Sequence, residues 1–522
     1  MEEIWLEIDA FHEQIVARSS RFSANDKDSA IEHAFKEKVS LETLFKCLDD
    51  ASDTQNSSRV KTVCACIDHL LSCNAVDPQF FQSKQTLAFI LGGLRHHEEQ
   101  AQELTLAQVE AQLYKNSRSK TPSENGVLAD NEIMHAICDL IASENGDIAC
   151  KASNVVVKLA TGDGSEVHET LVDVLHQNAL ECDTGGKSVE LMRYLETIAR
   201  LCSTEKVGQY VASSGSMKLI LGYLESNDSL LILNIMELLP KLCQTKAGLQ
   251  FISDSDTLRN LLAMAEDPLV GTESLRFIGE VSTKVAELNV KCWNWGDPVL
   301  TQAFFDKVKD KLQDPEDIQK IAAMDAIGAF AASSHKELQV LIQHEICSQY
   351  LEMASSLKMP LKVNCLHSVK KVLAEPTRLQ HESCDILEKD AEIWNLNKTI
   401  YEALGRASRS DSTTEYLMSL LKQPFEELRI AVYGLLQAVA AQNAEWGLQA
   451  LISYGGFFEY ILDRNTEPTK ECREWKFAVV DAILASPFTN LLDTSILLKL
   501  KEHLRKGPYI GNPRSALEME AA

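Results

Sequence analysis

Residues 188–202 read SVELMRYLETIARLC, and residues 229–243 read SLLILNIMELLPKLC. The offset is 229 − 188 = 41 residues. In the first stretch Leu191, Tyr194, Leu195, Ile198, Leu201 and Cys202 are apolar and recur at steps of three and four, which marks one face of a helix. Their counterparts Ile232, Ile235, Met236, Leu239, Leu242 and Cys243 are all apolar too. Glu196 matches Glu237, Thr204 matches Thr245, and Gly208 falls near Gly248. A further helix is predicted in each copy, through 218–224 and 258–264. Two helices per roughly 40 residues is the period of armadillo and HEAT arrays. One helix pair cannot bury its own apolar stripe, so such units are stable only when stacked.

The same periodicity runs through most of the chain. Ile4, Ile8, Phe11 and Ile15 share a face near the N-terminus. Leu428, Ala431, Val432, Leu435 and Val439 share another, with Glu426, Glu427, Arg429 and Gln437 largely opposite. Three units are predicted to open on proline, at Pro315, Pro360 and Pro424, because a first-turn amide has no helical acceptor to lose. Strand alternation is hard to find, and glycine plus proline is only 23 + 13 = 36 of 522 residues, too few for a chain of many tight β turns. The expected fold is therefore all-α: a curved armadillo/HEAT-like helical-repeat solenoid of about ten or eleven helix pairs. The expected divisions are N-terminal repeats over 1–114, a flexible linker over 115–131 and central repeats over 132–375. An irregular or inserted segment over 376–412, C-terminal repeats over 413–510 and a frayed tail over 511–522 complete them.

Lys plus Arg against Asp plus Glu is 51 against 76, a net charge of −25. That argues against a phosphate-backbone partner or a polybasic membrane anchor. Apolar runs such as Leu230 to Leu233 are far short of a spanning helix. The acidic start, Met1-Glu2-Glu3, is neither a signal nor a transit peptide. Most cysteines lie inside apolar helical patterns and read as reduced, buried thiols.

Motifs with possible chemistry have plainer readings. Gly185-Gly186-Lys187-Ser188 resembles the end of a phosphate-binding loop, but the position that loop needs as glycine is Glu181. An inter-repeat turn with Ser188 as helix cap is the simpler expectation. Cys64, Cys66, Cys73 and His69 lack the spacing of a tetrahedral metal set. His96-His97 cannot place two imidazoles on one helix face, and no Gly-x-Ser-x-Gly elbow occurs. Trp293-Asn294-Trp295 and Trp394-Asn395 form no ladder at the repeat period and are expected to pack. No cofactor, metal or catalytic set is expected.

The C-terminal stretch has a specific likeness. It carries Gln423-Pro424-Phe425-Glu426-Glu427-Leu428, then Gly456-Phe457-Phe458-Glu459-Tyr460-Ile461-Leu462-Asp463-Arg464, then Leu504-Arg505-Lys506-Gly507-Pro508-Tyr509. It resembles the family of the 26S proteasome non-ATPase regulatory subunit 5, an assembly chaperone family. Thr245-Lys246-Ala247-Gly248-Leu249 and the Leu361, Lys362, Cys365, Leu366 set extend the resemblance over 185–375. It implies a non-catalytic chaperone of the cytoplasm, and also of the nucleus, monomeric on its own. Such a chaperone binds the C-terminal domain of the first regulatory ATPase subunit. It also associates with the second ATPase and the first large non-ATPase subunit, and blocks premature docking on the core particle. The alternative on the same fold is a transport or signalling adaptor.

The second helix of each pair commonly lines the inner surface of such arrays, which makes Tyr223, Glu225, Glu352, Glu459 and Asp463 the candidate partner-binding residues. Spread acidic residues either keep a long array soluble or form an acidic inner face that draws in a basic partner.

Overall fold

Short polar side chains set where many of the helices begin. Asp130 accepts from the amides of Glu132 and Ile133, Asn145 from those of Asp147 and Ile148, and Asp228 from those of Leu230 and Leu231. Each satisfies donors that the first turn of a helix leaves without a partner, typically ~1 kcal/mol per cap. The computed structural model describes residues 2–19, 30–53, 56–72, 84–118, 130–162, 167–288, 290, 297–374 and 386–509. Among these, every regular element is a helix. The packing divides the chain into two units, Met1–Gly222 and Tyr223–Ala522, so the matched stretches 188–202 and 229–243 fall one in each.

In the first unit, the helices Glu2–Ser19, Leu41–Asp53 and Ser57–Ser72 close around Ile8, Leu44, Val60, Val63 and Ile67, all fully buried. Phe11 stacks on Phe35 with ring centroids 4.0 Å apart. Further along, Ser188–Leu201 buries the stripe read from its sequence, Leu191, Tyr194, Leu195, Ile198 and Leu201. Each such side chain contributes about 1.5–3 kcal/mol by leaving water. Polar bonds fix its register on the neighbouring helices. Arg193 donates to the Ser143 carbonyl at 2.6 Å, Tyr194 to the Cys138 carbonyl at 3.2 Å, and Arg200 to Asn154 Oδ1 at 2.6 Å. Ser188 is the first helical residue rather than the cap. Lys187 holds the cap position with no side-chain bond, because Gly186 turns the chain at φ 70° and returns the Lys187 amide to the Cys182 carbonyl at 2.9 Å.

The second unit is built on a ladder of long helices. Ser229–Leu242 packs on Gly271–Leu288, and Asp317–Ser333, Met359–Ala374, Glu426–Ala440 and Lys470–Ala485 follow, each against the next. The last four run parallel. Lys358 Nζ lies 2.7 Å from Asp317 Oδ1 at one pair of N-terminal ends, and Cys472 Sγ lies 3.9 Å from the Glu426 carbonyl at another. At the C-terminal ends Gln442 donates to the Leu373 carbonyl at 2.8 Å. Close approach depends on small residues. A Cβ on Gly328 would meet Ser368 Oγ at 2.0 Å. Shorter helices such as His335–Gln343, Ile346–Glu352, Glu445–Ile452 and Phe457–Leu462 form the other layer.

Several expected boundaries differ from the observed ones. Lys115 to Arg118 belong to the helix Glu99–Arg118, and 119–129 lie outside the described residues. The segment expected to be irregular holds a 22-residue helix, Ile386–Ala407. Pro360 lies in the first turn of its helix, but Pro315 and Pro424 precede theirs by two residues, with Phe425 extended at the cap. Trp293 to Trp295, Cys73 and the tail from 510 lie outside the described residues.

Candidate functional site

The polar face of the ladder is the site the fold offers. Along Gly271–Leu288 the residues Glu273, Arg276, Glu280 and Lys284 fall at steps of three and four and stay away from the core. Asp325 on the next helix and His367 and Lys371 on the one after are also exposed. Asp325 and Glu280 both lie within electrostatic reach of Arg276 and Lys371, so three successive helices share one mixed-charge cluster.

Towards the C-terminus the face changes character. Lys370 leaves Met359–Ala374, crosses Glu426–Ala440 at Gly434 and ends with Nζ 4.2 Å from the centroid of the Trp475 ring on Lys470–Ala485. A Cβ on Gly434 would sit 3.0 Å from Lys370 Cδ, so glycine there opens the path. Partial burial lowers the pKa of this ammonium. Trp475 also lines an open hollow with Glu426, Gln437, Lys470, Glu471, Glu474 and Ala478. Lys370 stands on the indole and Lys470 lies 3.8 Å from Glu474, so the hollow combines an aromatic ring with charges of both signs.

Beside it, the loop 463–469 is tied down by a buried polar knot. Glu467 is 1% exposed. Tyr433 and Tyr460 donate to its Oε1, and Arg429 Nε lies 3.3 Å from Oε2, near enough for an ion pair though not aligned as a hydrogen bond. Arg473 donates to the Glu467 carbonyl at 2.7 Å. Lys476, itself buried, donates to the Asp463 carbonyl at 2.6 Å and to Thr466 Oγ1. Desolvation pulls its pKa down to about 8.

The five candidate residues lie in the layer of short elements rather than on the ladder. Tyr223 and Glu225 are in the 3-10 turn Tyr223–Glu225, where Glu225 accepts from Asn260 Nδ2 at 3.5 Å. Glu352 ends the helix Ile346–Glu352. Glu459 is exposed on Phe457–Leu462, and Asp463 is that helix's C-cap, one turn on. Tyr223 and Glu225 share one turn, and Glu459 and Asp463 stand one turn apart on another element, each pair being close in sequence as well. The ladder-face residues Arg276, Glu280, Asp325, Lys371 and Trp475 were not singled out from sequence. Their signal was the polar spacing of three and four on the longest amphipathic helices.

Buried thiols offer no nucleophile. Desolvation first, then nearby carboxylates, pushes Cys64 and Cys66 up to about 12, so both stay protonated at neutral pH. Among the described residues no group of three His, Cys, Asp or Glu could hold a metal ion, and no helix is long and apolar enough to cross a membrane.

A two-layer helical ladder with an exposed polar face defines an armadillo/HEAT-type repeat protein. Solved structures agree on the fold: importin beta matches with TM-score 0.55 at 12% identity, over 95% of this chain and 67% of that one. Kap121p bound to Ste12p matches with TM-score 0.50 at 12% identity, over 97% and 55%. Residues 5–522 match the family described as Proteasome non-ATPase 26S subunit, and the chain belongs to that family. The 26S proteasome non-ATPase regulatory subunit 5 of Homo sapiens is 24% identical over 452 residues, covering 82% of each chain. Its namesake from Drosophila melanogaster is 21% identical over 521 residues, covering 95% of this chain and 93% of that one.

Proposed function

We propose that this protein is a non-catalytic assembly chaperone of the proteasome regulatory particle, acting in the cytoplasm and nucleus. It binds the C-terminal domain of an ATPase subunit, the first of the set, in a complex that also takes in the second ATPase and the first large non-ATPase subunit. While bound, its bulk blocks premature docking on the core particle. The observation that carries the reading is family membership over residues 5–522. The ladder supports it by presenting polar and aromatic groups suited to a protein surface that must later let go.

Of the candidate residues, Glu459 and Asp463 are the ones we assign to the contact; their exposure, one turn apart beside the Glu467 knot, supports that reading. Purified chain mixed with the isolated ATPase C-terminal domain is expected to co-elute in size exclusion at micromolar concentration. The double variant Glu459→Lys/Asp463→Lys is expected to bind that domain at least tenfold more weakly. Failure of the wild-type chain to co-elute with any regulatory ATPase domain would overturn the proposal.

A further inference from the structure

The N-terminal ends of the ladder helices repeat a feature that helix capping does not explain. Leu230 is the second residue of its helix and 72% exposed, and Ile318 is the second residue of its helix and 54% exposed. Leu269 and Leu357 each stand two residues before a ladder helix, the first 64% exposed and the second fully so. Phe425 is the N-cap of Glu426–Ala440 and 49% exposed. Single exposed leucines are ordinary on a soluble protein. A large apolar side chain at the N-terminal end of five successive stacked helices is not scatter.

For Ile318, Leu357 and Phe425 the geometry is tightest, because those helices run parallel with their N-terminal ends aligned. Stacked helix axes lie about 8–10 Å apart. Seven residues of an α-helix rise about 10.5 Å. A helix laid across these ends would therefore meet one anchor per heptad.

Charge selects the kind of helix. Asp228, Asp267, Glu316, Asp317, Glu426 and Glu427 stand within two residues of the apolar anchors, against two lysines, Lys320 and Lys358, and Lys358 is paired with Asp317. Asp228 and Asp267 also cap the amides of Leu230 and Leu269, at 2.9 and 2.8 Å. Capping accounts for the carboxylates but not for the exposed leucine, isoleucine and phenylalanine next to them.

We infer that the N-terminal edge of the parallel helices Asp317–Ser333, Met359–Ala374 and Glu426–Ala440 docks an amphipathic helix of another protein, bearing one apolar residue per heptad with Lys or Arg on either side. The inference goes beyond the assembly reading and does not depend on it. The probe is a labelled synthetic helix of roughly four heptads, with leucine at every seventh position and flanking lysines. Two controls accompany it: a permuted peptide of the same composition and a version with glutamate in place of lysine.

Fluorescence anisotropy is expected to show the heptad peptide binding the full-length chain at least tenfold more tightly than either control. The variant Ile318→Ser/Leu357→Ser/Phe425→Ser, whose helicity and melting temperature are expected to match wild type, should lose at least tenfold. Equal binding of the permuted peptide, or an unchanged affinity for the folded triple variant, would overturn the inference. So would a wild-type dimer in sedimentation that the triple variant abolishes while no peptide binds, which would assign the edge to a second copy of the chain. The ATPase domain, run alongside on the same variant, reports on the assembly reading alone.

Discussion

Gly328 shows how little room the ladder leaves. Its backbone lies against Ser368, whose hydroxyl donates to the Met324 carbonyl at 2.6 Å and accepts from Tyr350 at 2.7 Å. Gly328→Val would drive a branched side chain into this bonded group. The expected loss is about 1–3 kcal/mol, the usual cost of overpacking a filled core, measured by urea denaturation. A loss under half a kcal/mol would mean that the helices separate easily here. Glu467 makes the opposite argument, since it stabilises by being present. Glu467→Ala leaves Arg429 without its buried counter-charge and removes the acceptor of Tyr433 and Tyr460, with an expected cost of about 3–5 kcal/mol. Glu467→Gln keeps an acceptor oxygen and should cost less. Equal losses for the two variants would show that the charge, not the bonding, sets the cost. None of these roles was legible in the sequence. A glycine in a helix and a glutamate in a loop look alike whether they are buried or solvated, because Ser368, against Gly328, and Tyr433 and Arg429, against Glu467, are far away along the chain.

At the scale of elements, the last helix, Thr494–Lys506, carries a titratable group that the fold keeps neutral. His503 is buried, and desolvation, with Arg464, Lys476 and Lys506 nearby, lowers its pKa to about 4. In an unfolded chain it titrates near about 6.5. Between those values the unfolded chain takes up a proton that the folded chain refuses. The stability this group contributes by staying neutral is therefore whole above pH ~6.5 and lost as pH falls towards ~4. His503→Gln is expected to flatten the fall in melting temperature over that window relative to wild type. Parallel curves for the two proteins would refute the assignment. Most helices were readable from their apolar periods, since a face that must be buried leaves its spacing in the sequence. The starts at Pro315 and Pro424 slipped by two residues, because the residue after each proline, Glu316 or Phe425, is extended and takes the cap position. The helix Ile386–Ala407 was missed because its length breaks the 41-residue rhythm.

For the whole molecule, the charge of −25 and the family are the properties that matter most. If acidic surface draws in the ATPase domain, association should slow as salt rises from about 50 to 500 mM while dissociation changes little, because screening acts on the long-range approach. A rate insensitive to salt would leave the charge as a solubility property alone. The sequence by itself determined the all-helical class, the repeat and the family. Each is written locally, in apolar spacing, in scarce glycine and proline, and in a C-terminal signature. It did not determine which exposed side chains would stand together. Tyr223, Glu225, Glu352, Glu459 and Asp463 came from a rule about second helices, whereas the packed ladder gathers Arg276, Glu280, Asp325, Lys371 and Trp475 on one face. Only tertiary structure could decide that. The period of a helix shows which side is buried, but its neighbours decide which exposed side chains stand together.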